Sequence, residues 1–371
     1  MKKFLVFVII VGAVGYFAWT RHWFGLGAES AEAAEDNGQN GKANAEDGEP
    51  AGDHDGGDLS LDGAGDGAGD GAGDGAGDGG EAPESDGLDA QLRQRLAKAD
   101  AAWKQVVDAG QDPAGHQQAP SLLAAYTAAL RATYNKPPLK QMQQRLIEER
   151  LTPLGERIFF TKVVHEDPDH PYFLHHRVAP GETPGRIGRG YGISEEYVML
   201  LNNIDDPTRL QVGERLKVVR TKKKGFSLYV DKSGYYLDLY ICDLFARRYP
   251  VGIGAPETPT PTGKAQIDTR AWHPKWTMPD GRVVPYGHPD NILGPIWLRL
   301  RPDQIQQQGI GIHGYDGDPE QAVRVKESNG CVRMRNADAI ELYRVLTRVH
   351  YDSEDPDLLH QRAPMWVTIV D

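Results

Sequence analysis

The sequence predicts a multidomain protein whose largest part is a mainly-β sandwich or barrel with one long helix. Residues 226–371 alternate short β-type runs with turns and contain a single clearly helical stretch. A compact βααβ pattern precedes them at residues 175–219, and residues 88–155 show helical periodicity. Residues 28–87 have the composition of a disordered acidic tether, which completes the predicted architecture.

Residues 1–27 indicate a membrane anchor or a signal peptide. Lys2 and Lys3 precede an uncharged, mostly apolar run over residues 4–19. This run is slightly short for a spanning helix and slightly long for a signal-peptide core. A small-x-small stretch at residues 25–27 would suit cleavage, whereas the nearby aromatic residues would suit a membrane interface. Under either alternative the rest of the chain is exported. We therefore expect a cell-envelope protein, anchored in the cytoplasmic (inner) membrane, with its C-terminal domain outside the cytoplasm.

The acidic charge of the chain is concentrated in the linker over residues 28–87. Residues 29–89 contain nineteen acidic residues and one lysine, so they contribute −18 to a net charge of −12 and leave +6 for the remainder. The motif GAGD repeats four times within this segment, which has too little apolar surface to form a core. The mildly basic remainder is too weak a signal to predict nucleic-acid binding. No zinc-type, phosphate-loop or dinucleotide motif is present, so we expect neither a metal nor an organic cofactor.

Residues 88–155 predict a helical region that serves as a spacer or interaction module. Three stretches have apolar residues at helical spacing, and Pro or Gly residues separate them. The next unit, residues 172–220, predicts a strand, a short first helix, a second helix from Glu195 to Leu201 capped by Ser194, and a closing strand over residues 215–219.

The βααβ unit closely resembles a LysM domain. The matching residues are Val178, Pro180, Gly181, Glu182, Thr183, Ile187, Tyr191, Gly192, Ile193, Ser194, Leu200, Asn202, Asn203, Leu210, Val212, Gly213 and Leu216. The resemblance implies binding to N-acetylglucosamine-containing glycans, here the sugar strands of peptidoglycan. The first helix departs from the family because it is rich in Pro and Gly, which predicts a weak helix. A LysM fold that acts only as a spacer is the alternative.

Residues 225–371 predict the β-rich domain. A hairpin with its turn at residues 232–234 is followed by further strands, by one helix that begins at Asn336 as its cap, and by a closing strand near residue 370. We expect Trp297 and Cys242 to be core residues, Cys242 within an alternating strand.

Cys331 lies in a sequence context that indicates chemistry. It follows Ser328, Asn329 and Gly330, and His313 lies fifteen residues before Ser328. A thiol needs a base to become a good nucleophile, and a thiolate beside an imidazolium is the usual solution. Amides around Gly330 could form an oxyanion hole, and Arg333 could pair with a substrate carboxylate, although a solvated surface charge is the alternative.

The segments IHG and SNGCVRM resemble the signature of the L,D-transpeptidase (YkuD-like) catalytic domain, and matching strand segments extend the resemblance over residues 226–371. The site residues that it implies are Cys331 as nucleophile, His313 as its base, the Gly314 carbonyl as the group that orients His313, and Ser328, Asn329, Gly330 and Arg333 as substrate-binding residues. Asn329 is a departure, since His is commoner at this position, and we expect catalysis to survive the change. Catalysis requires a free Cys331, so we expect no disulfide to Cys242.

The resemblance implies an acyltransferase that cross-links the peptide stems of the cell wall. The expected donor is a tetrapeptide stem that forms a Cys331 acyl-enzyme with loss of D-alanine, and the expected acceptor is an amine. A lipoprotein lysine, a free D-amino acid or water could replace that acceptor. A catalytically silent cell-wall-binding protein is the rival from another class. The expected partners are peptidoglycan and, through the N-terminal segment, the membrane.

Overall fold

The computed structural model describes residues 88–165, 170–221, 224–278, 280–317, 321–346 and 365–371. The predicted N-terminal membrane segment and the acidic linker lie outside these residues. No helix within the described ranges combines the length and the apolar character needed to cross a membrane.

Helices form the first part of the described chain. Helix α1 (Ala90–Asp108) begins at Asp89, whose carboxylate accepts a hydrogen bond from the Leu92 N–H. Helix α2 spans Ala119–Thr133. The third predicted helix is divided into a 3₁₀ turn (Pro137–Leu139), α3 (Lys140–Leu146), a π-helical turn (Ile147–Leu151) and α4 (Thr152–Phe159).

The π-helical turn has a cause in the sequence. Pro153 has no N–H to donate to the carbonyl four residues earlier, and its ring crowds that carbonyl. The Thr152 N–H instead donates to the carbonyl of Ile147, five residues back, which widens the turn.

The helical region packs directly against the β-sheet and is not held apart from it as a spacer. Thr127 Oγ1 accepts a hydrogen bond from the Phe245 N–H at 3.0 Å. Gly155 lies so close to the carbonyl of Ala246 that a Cβ atom would overlap it. Leu154 and Phe159 are fully buried beneath this contact. The helices therefore contribute to the core that supports the sheet.

The βααβ unit forms as predicted. Strands β1 (Phe173–Arg177) and β2 (Arg215–Val219) pair antiparallel, and helices α5 (Pro184–Tyr191) and α6 (Glu195–Asn202) lie between them in the chain. Ser194 caps α6 by accepting a hydrogen bond from the Tyr197 N–H at 3.0 Å. Helix α5 spans eight residues in spite of its glycines, and one of them, Gly188, is required because a Cβ there would lie 2.6 Å from the Ile193 carbonyl oxygen.

One eight-stranded sheet dominates the rest of the molecule. Its strands are β3 (Phe226–Asp231), β4 (Tyr236–Ile241), β5 (Leu244–Pro250), β7 (Gly263–Trp272), β10 (Ile296–Leu300), β11 (Gly311–His313), β13 (Val332–Arg333) and β14 (Trp366–Val370). Their spatial order is β13-β11-β10-β7-β14-β3-β4-β5. Gly252, two residues beyond β5, forms an antiparallel bridge with Arg333 in β13. The sheet thus curls so that the chain beyond one edge strand meets the other edge, and the predicted sandwich or barrel is a single curled sheet.

Short elements surround this sheet. They are the parallel pair β6 (Ile253–Gly254) and β12 (Lys326–Ser328), the hairpin β8 (Trp276–Thr277) and β9 (Val283–Val284), the short helix α7 (Pro302–Ile305) and the helix α8 (Asn336–Val345).

The predicted cap of α8 is wrong. Arg335 occupies the cap position without a side-chain hydrogen bond. The Asn336 Oδ1 atom instead accepts a hydrogen bond from the Tyr315 N–H at 2.8 Å. Asn336 therefore holds the loop that follows β11, close to the candidate site.

The LysM-like unit docks on the sheet domain through α6. Ser194 Oγ donates to the Arg344 carbonyl at 2.5 Å, and the Arg270 guanidinium lies 3.7 Å from the Glu196 carboxylate. On its other side, the buried Lys217 Nζ donates to the carbonyls of Ile158 and Thr161 at 2.6 and 2.8 Å.

Candidate active site

Cys331 lies in a tight turn between β12 and β13. Gly330, directly before it, has a φ of +98°, a region that favours glycine, and a Cβ atom there would lie 2.9 Å from Ile310 Cδ1. The buried Ser328 closes the turn by donating from Oγ to the Cys331 carbonyl at 2.6 Å. The sequence Ser-Asn-Gly thus fixes the backbone that positions the thiol.

His313 ends β11, which runs parallel to β13. The register pairs Ile312 with Val332 and His313 with Arg333. Because Cys331 directly precedes Val332, this pairing brings the thiol and the imidazole to the same edge of the sheet. Gly314 follows His313 at a point where a Cβ atom would overlap Asn336 Oδ1.

A cavity of about 500 Å³ contains both groups. Its lining residues are Lys275, Trp276, Thr277, Ile292, Leu293, Trp297, Gln308, Gly309, His313, Ser328, Asn329, Cys331 and Arg333. Five of the seven residues predicted from the sequence therefore line one space. The remaining two, Gly314 and Gly330, shape the backbone beside it.

The charges of the thiol and imidazole are set by burial. Burial raises the pKa of Cys331, while a hydrogen bond from the Gly311 backbone and the charge of Arg333 act in the opposite direction. Burial, together with Arg333, lowers the pKa of His313 to about 4. Both shifts favour the neutral form of each of these two groups that line the cavity. The expected thiolate–imidazolium pair is therefore not the resting state that this environment favours.

The orientation of His313 is only partly determined by hydrogen bonds. Backbone groups of Gly314 and Leu293 raise the pKa of His313 against the effect of burial. The Nδ1 atom nevertheless has no partner within hydrogen-bond geometry among the described residues. The predicted orienting bond to the Gly314 carbonyl is therefore not formed by Nδ1. The imidazole packs near Trp297, whose ring centroid lies 5.7 Å from its own.

Arg333 is a buried cation at the cavity wall. Only 8% of the surface of this residue is exposed to solvent. The guanidinium lies 4.7 Å from the centre of the Tyr315 ring and donates to the Glu327 carbonyl at 3.4 Å, while Nε has no hydrogen-bond partner in the described chain. This environment does not support the alternative of a solvated surface charge, and it suits the binding of an anion.

Several residues that line the cavity were not predicted from the sequence. Trp297 was expected in the core, but it is only partly buried and lines the cavity. The alternation in β10 contains the signal, since Ile296 and Leu298 are buried on one face and Trp297 pairs with His313 on the other. The residues Lys275, Trp276 and Thr277 had no such signal because β8 is only two residues long.

Cys242 has the environment of a structural residue. It is buried, as expected, but it lies in the β4–β5 turn with a φ of +53° and not within a strand. Its thiol donates to the Arg220 carbonyl at 3.4 Å, and burial raises its pKa to about 12. Both cysteines are free thiols.

Two other features of the described chain bear on the choice of site. A larger cavity of about 630 Å³ lies between the α2–α3 connection and the β3–β4 turn, but neither a cysteine nor a histidine lines it. Within the ranges that the structure describes, no three His, Cys, Asp or Glu side chains group as metal ligands would.

Family models match both the domain that contains the cavity and the βααβ unit before it. A family model described as the L,D-transpeptidase catalytic domain, YkuD, matches residues 226–354, and the LysM domain model matches residues 176–219. YkuD of Bacillus subtilis, which is named as an L,D-transpeptidase, is 32% identical over 176 residues, which cover 47% of this chain and 93% of that protein. The chain belongs to the L,D-transpeptidase family.

Two further comparisons show lower sequence identity to this chain. YkuD of Bacillus licheniformis is 26% identical over 176 residues, again 47% of this chain and 93% of that protein. A solved L,D-transpeptidase from Mycobacterium smegmatis shares 12% identity at a TM-score of 0.30, over 43% of this chain and 65% of that chain. The assignment rests on the sequence match to the Bacillus subtilis protein.

Proposed function

We propose that this L,D-transpeptidase acts on peptidoglycan through a Cys331 acyl-enzyme. The observation that supports it is the shared cavity of about 500 Å³, which is lined by a free thiol, a buried imidazole and a buried guanidinium. The donor is a tetrapeptide stem. Cys331 Sγ attacks the carbonyl at the L-centre of diaminopimelate, a thioester forms, and D-alanine leaves.

Proton transfer in this proposal follows from the neutral resting state. His313 accepts the thiol proton as the carbon–sulfur bond forms, and it gives that proton to the departing amine of D-alanine. In the second half, His313 accepts a proton from the acceptor amine as that nitrogen attacks the thioester. The proton then returns to the sulfur, so the free thiol is regenerated and a new amide joins donor and acceptor.

Two further groups stabilise the reacting carbonyl and the donor. Backbone amides between Asn329 and Cys331 surround the position where negative charge develops on the carbonyl oxygen. Arg333 pairs with a carboxylate of the donor next to the bond that is cleaved. The acceptor that best fits cross-linking is the side-chain amine of diaminopimelate on another stem, with a protein lysine, a D-amino acid or water as alternatives.

The other parts of the chain deliver the enzyme in this proposal. The LysM unit binds the glycan strands of the cell wall, which raises the local concentration of peptide stems near the cavity. The N-terminal segment holds the protein at the outer side of the cytoplasmic membrane, and the acidic linker separates the membrane from the folded part.

The proposal is tested with a synthetic tetrapeptide stem and the purified full chain. We expect release of D-alanine and a mass increase on Cys331 that corresponds to the tripeptide acyl group. Cys331→Ala should abolish both, while Cys242→Ala, the matched change at the buried thiol, should retain them. Release of D-alanine by Cys331→Ala would contradict the nucleophile. A wild-type protein that neither releases D-alanine nor is acylated by a carbapenem would favour the silent cell-wall-binding alternative.

A further inference from the structure

The charge of the active-site cavity is unbalanced. Lys275 and Arg333 both line it, and none of its described lining residues is an aspartate or a glutamate. Lys275 forms no ion pair within the described chain. A concave site with two cations and no compensating anion favours a ligand with more than one negative charge.

The two cations occupy different environments. Arg333 is buried and held in place by Tyr315 and the Glu327 carbonyl. Lys275 is exposed and lies directly before β8 on the hairpin that borders the cavity. A ligand that meets both cations therefore has one anionic group inside the cavity and another near its mouth.

The backbone that presents Lys275 is fixed by a buried amide. Asn291 is 2% exposed, and its Nδ2 donates to the carbonyls of Pro274 and Val284 at 3.0 and 3.3 Å. Its Oδ1 accepts a hydrogen bond from the N–H of Leu293, another lining residue. Both sides of the hairpin are thus tied to the cavity wall, which fixes the backbone from which the Lys275 side chain extends beside the cavity.

We propose that Lys275 binds the side-chain carboxylate of diaminopimelate and selects donor stems in which this carboxylate is free over stems in which it is amidated. This inference rests on the proposed function, which supplies a donor with two carboxylates near the cleaved bond. Arg333 takes the D-alanine carboxylate, and Lys275 takes the second one. Amidation removes the charge that Lys275 recognises and leaves the rest of the donor unchanged.

The test measures binding without turnover. In a Cys331→Ala background, calorimetry compares two tetrapeptides that differ only in a free or amidated diaminopimelate side-chain carboxyl group. We expect the free carboxylate to bind roughly threefold to tenfold more tightly. Lys275→Met should bring this ratio close to one by weakening only the free form, and Lys275→Arg should preserve it.

The control is Lys264→Met, which removes the same charge from a lysine that packs over the Trp366 ring outside the cavity lining. It should leave the ratio unchanged. The inference is overturned if the two peptides bind equally well before substitution, or if neither binds. It is also overturned if Lys275→Met leaves the affinity ratio intact or weakens both peptides equally. Binding is measured without turnover. Failure of the intact enzyme to release D-alanine would therefore reject the proposed function, while the binding test would still decide whether Lys275 recognises the carboxylate.

Discussion

Gly330 determines where the Cys331 thiol can lie. Its φ of +98° is costly for any residue with a Cβ, and the space beside it is filled by Ile310. We expect Gly330→Ala to add about 1–3 kcal/mol of local strain and to slow acylation on the order of a hundredfold through displacement of the thiol. Single-turnover acylation by a carbapenem measures this.

The matched control is Gly110→Ala, which also places alanine at positive φ, here +69°, with no atom within 4 Å of the new Cβ. It should lower stability to a similar degree without slowing acylation. Equal acylation rates in the Gly330 variant and the wild type would show that the turn does not position the thiol.

The neutral state of the Cys331–His313 pair predicts a specific pH dependence. The thiol is reactive only when deprotonated, and burial raises its pKa. The rate of alkylation by iodoacetamide should therefore increase with pH, and the midpoint of this increase should lie above the pKa of an ordinary thiol. An alkylation rate that is already maximal below neutral pH would indicate the ion pair instead. The Cys331→Ala variant should remove the signal, since Cys242 is buried.

The sequence predicted that Cys331 and His313 lie together, and both line one cavity. The glycines around Cys331 and His313 showed that the backbone there is unusual, and the structure brings these residues to one cavity. Prediction from sequence failed for Asn336, whose side chain could either cap its own helix or bind a loop twenty-one residues earlier. Only the tertiary structure decides between two such hydrogen bonds.

At the scale of elements, a buried ion pair fastens the helical region to the sheet. Asp238 in β4 is fully buried and accepts two hydrogen bonds from Arg248 in β5 at 2.6 and 2.7 Å. Tyr134, at the end of α2, donates to the same carboxylate at 2.5 Å. The carboxylate therefore joins two strands and one helix.

We expect Asp238→Ala to lower the free energy of unfolding by about 3–5 kcal/mol, because Arg248, a largely buried cation, is left without its carboxylate partner. Urea unfolding followed by circular dichroism measures the loss. Asp303→Ala, which breaks an exposed pair with Arg301, should leave the transition nearly unchanged. A loss in Asp238→Ala no larger than in Asp303→Ala would contradict the role assigned to the pair, and Asp238→Leu with Arg248→Met should recover much of the stability.

Elements were predictable where their periodicity was long enough to read. The helices of residues 88–155 and the β3–β4 hairpin follow directly from the spacing of their apolar residues. The β8–β9 hairpin could not be predicted in this way, because each strand has only two residues. Hydrogen bonds from Asn291 hold this hairpin in position.

At the scale of the whole molecule, the LysM unit is joined to the helical region by a buried lysine. Burial lowers the pKa of Lys217 to about 7, whereas it is about 10.4 in an unfolded chain. Between these values the unfolded state binds more protons, so stability should rise as the pH increases from 7 towards 10. Below pH 7 this contribution is constant.

The measurement compares urea unfolding at pH 7 and pH 9 for the wild type and Lys217→Met. We expect a smaller gain in stability between these pH values in the variant, because the titrating group is gone. The same gain in both proteins would show that Lys217 is not responsible. The order of the units along the chain was predicted from local sequence patterns. The contacts between units far apart in sequence could not be predicted in this way, because they depend on the tertiary structure.

The position of β14 has a consequence for how the molecule is made. This strand lies between β7, with which it pairs antiparallel, and β3, with which it pairs parallel. The two halves of the sheet, β13-β11-β10-β7 and β3-β4-β5, are joined in the strand order only through it. Residues 366–370 must therefore emerge from the ribosome, or from a translocation channel, before the sheet can be completed. The inner edges of β7 and β3 have no partner until then, so we expect completion of the sheet to be a late step of folding.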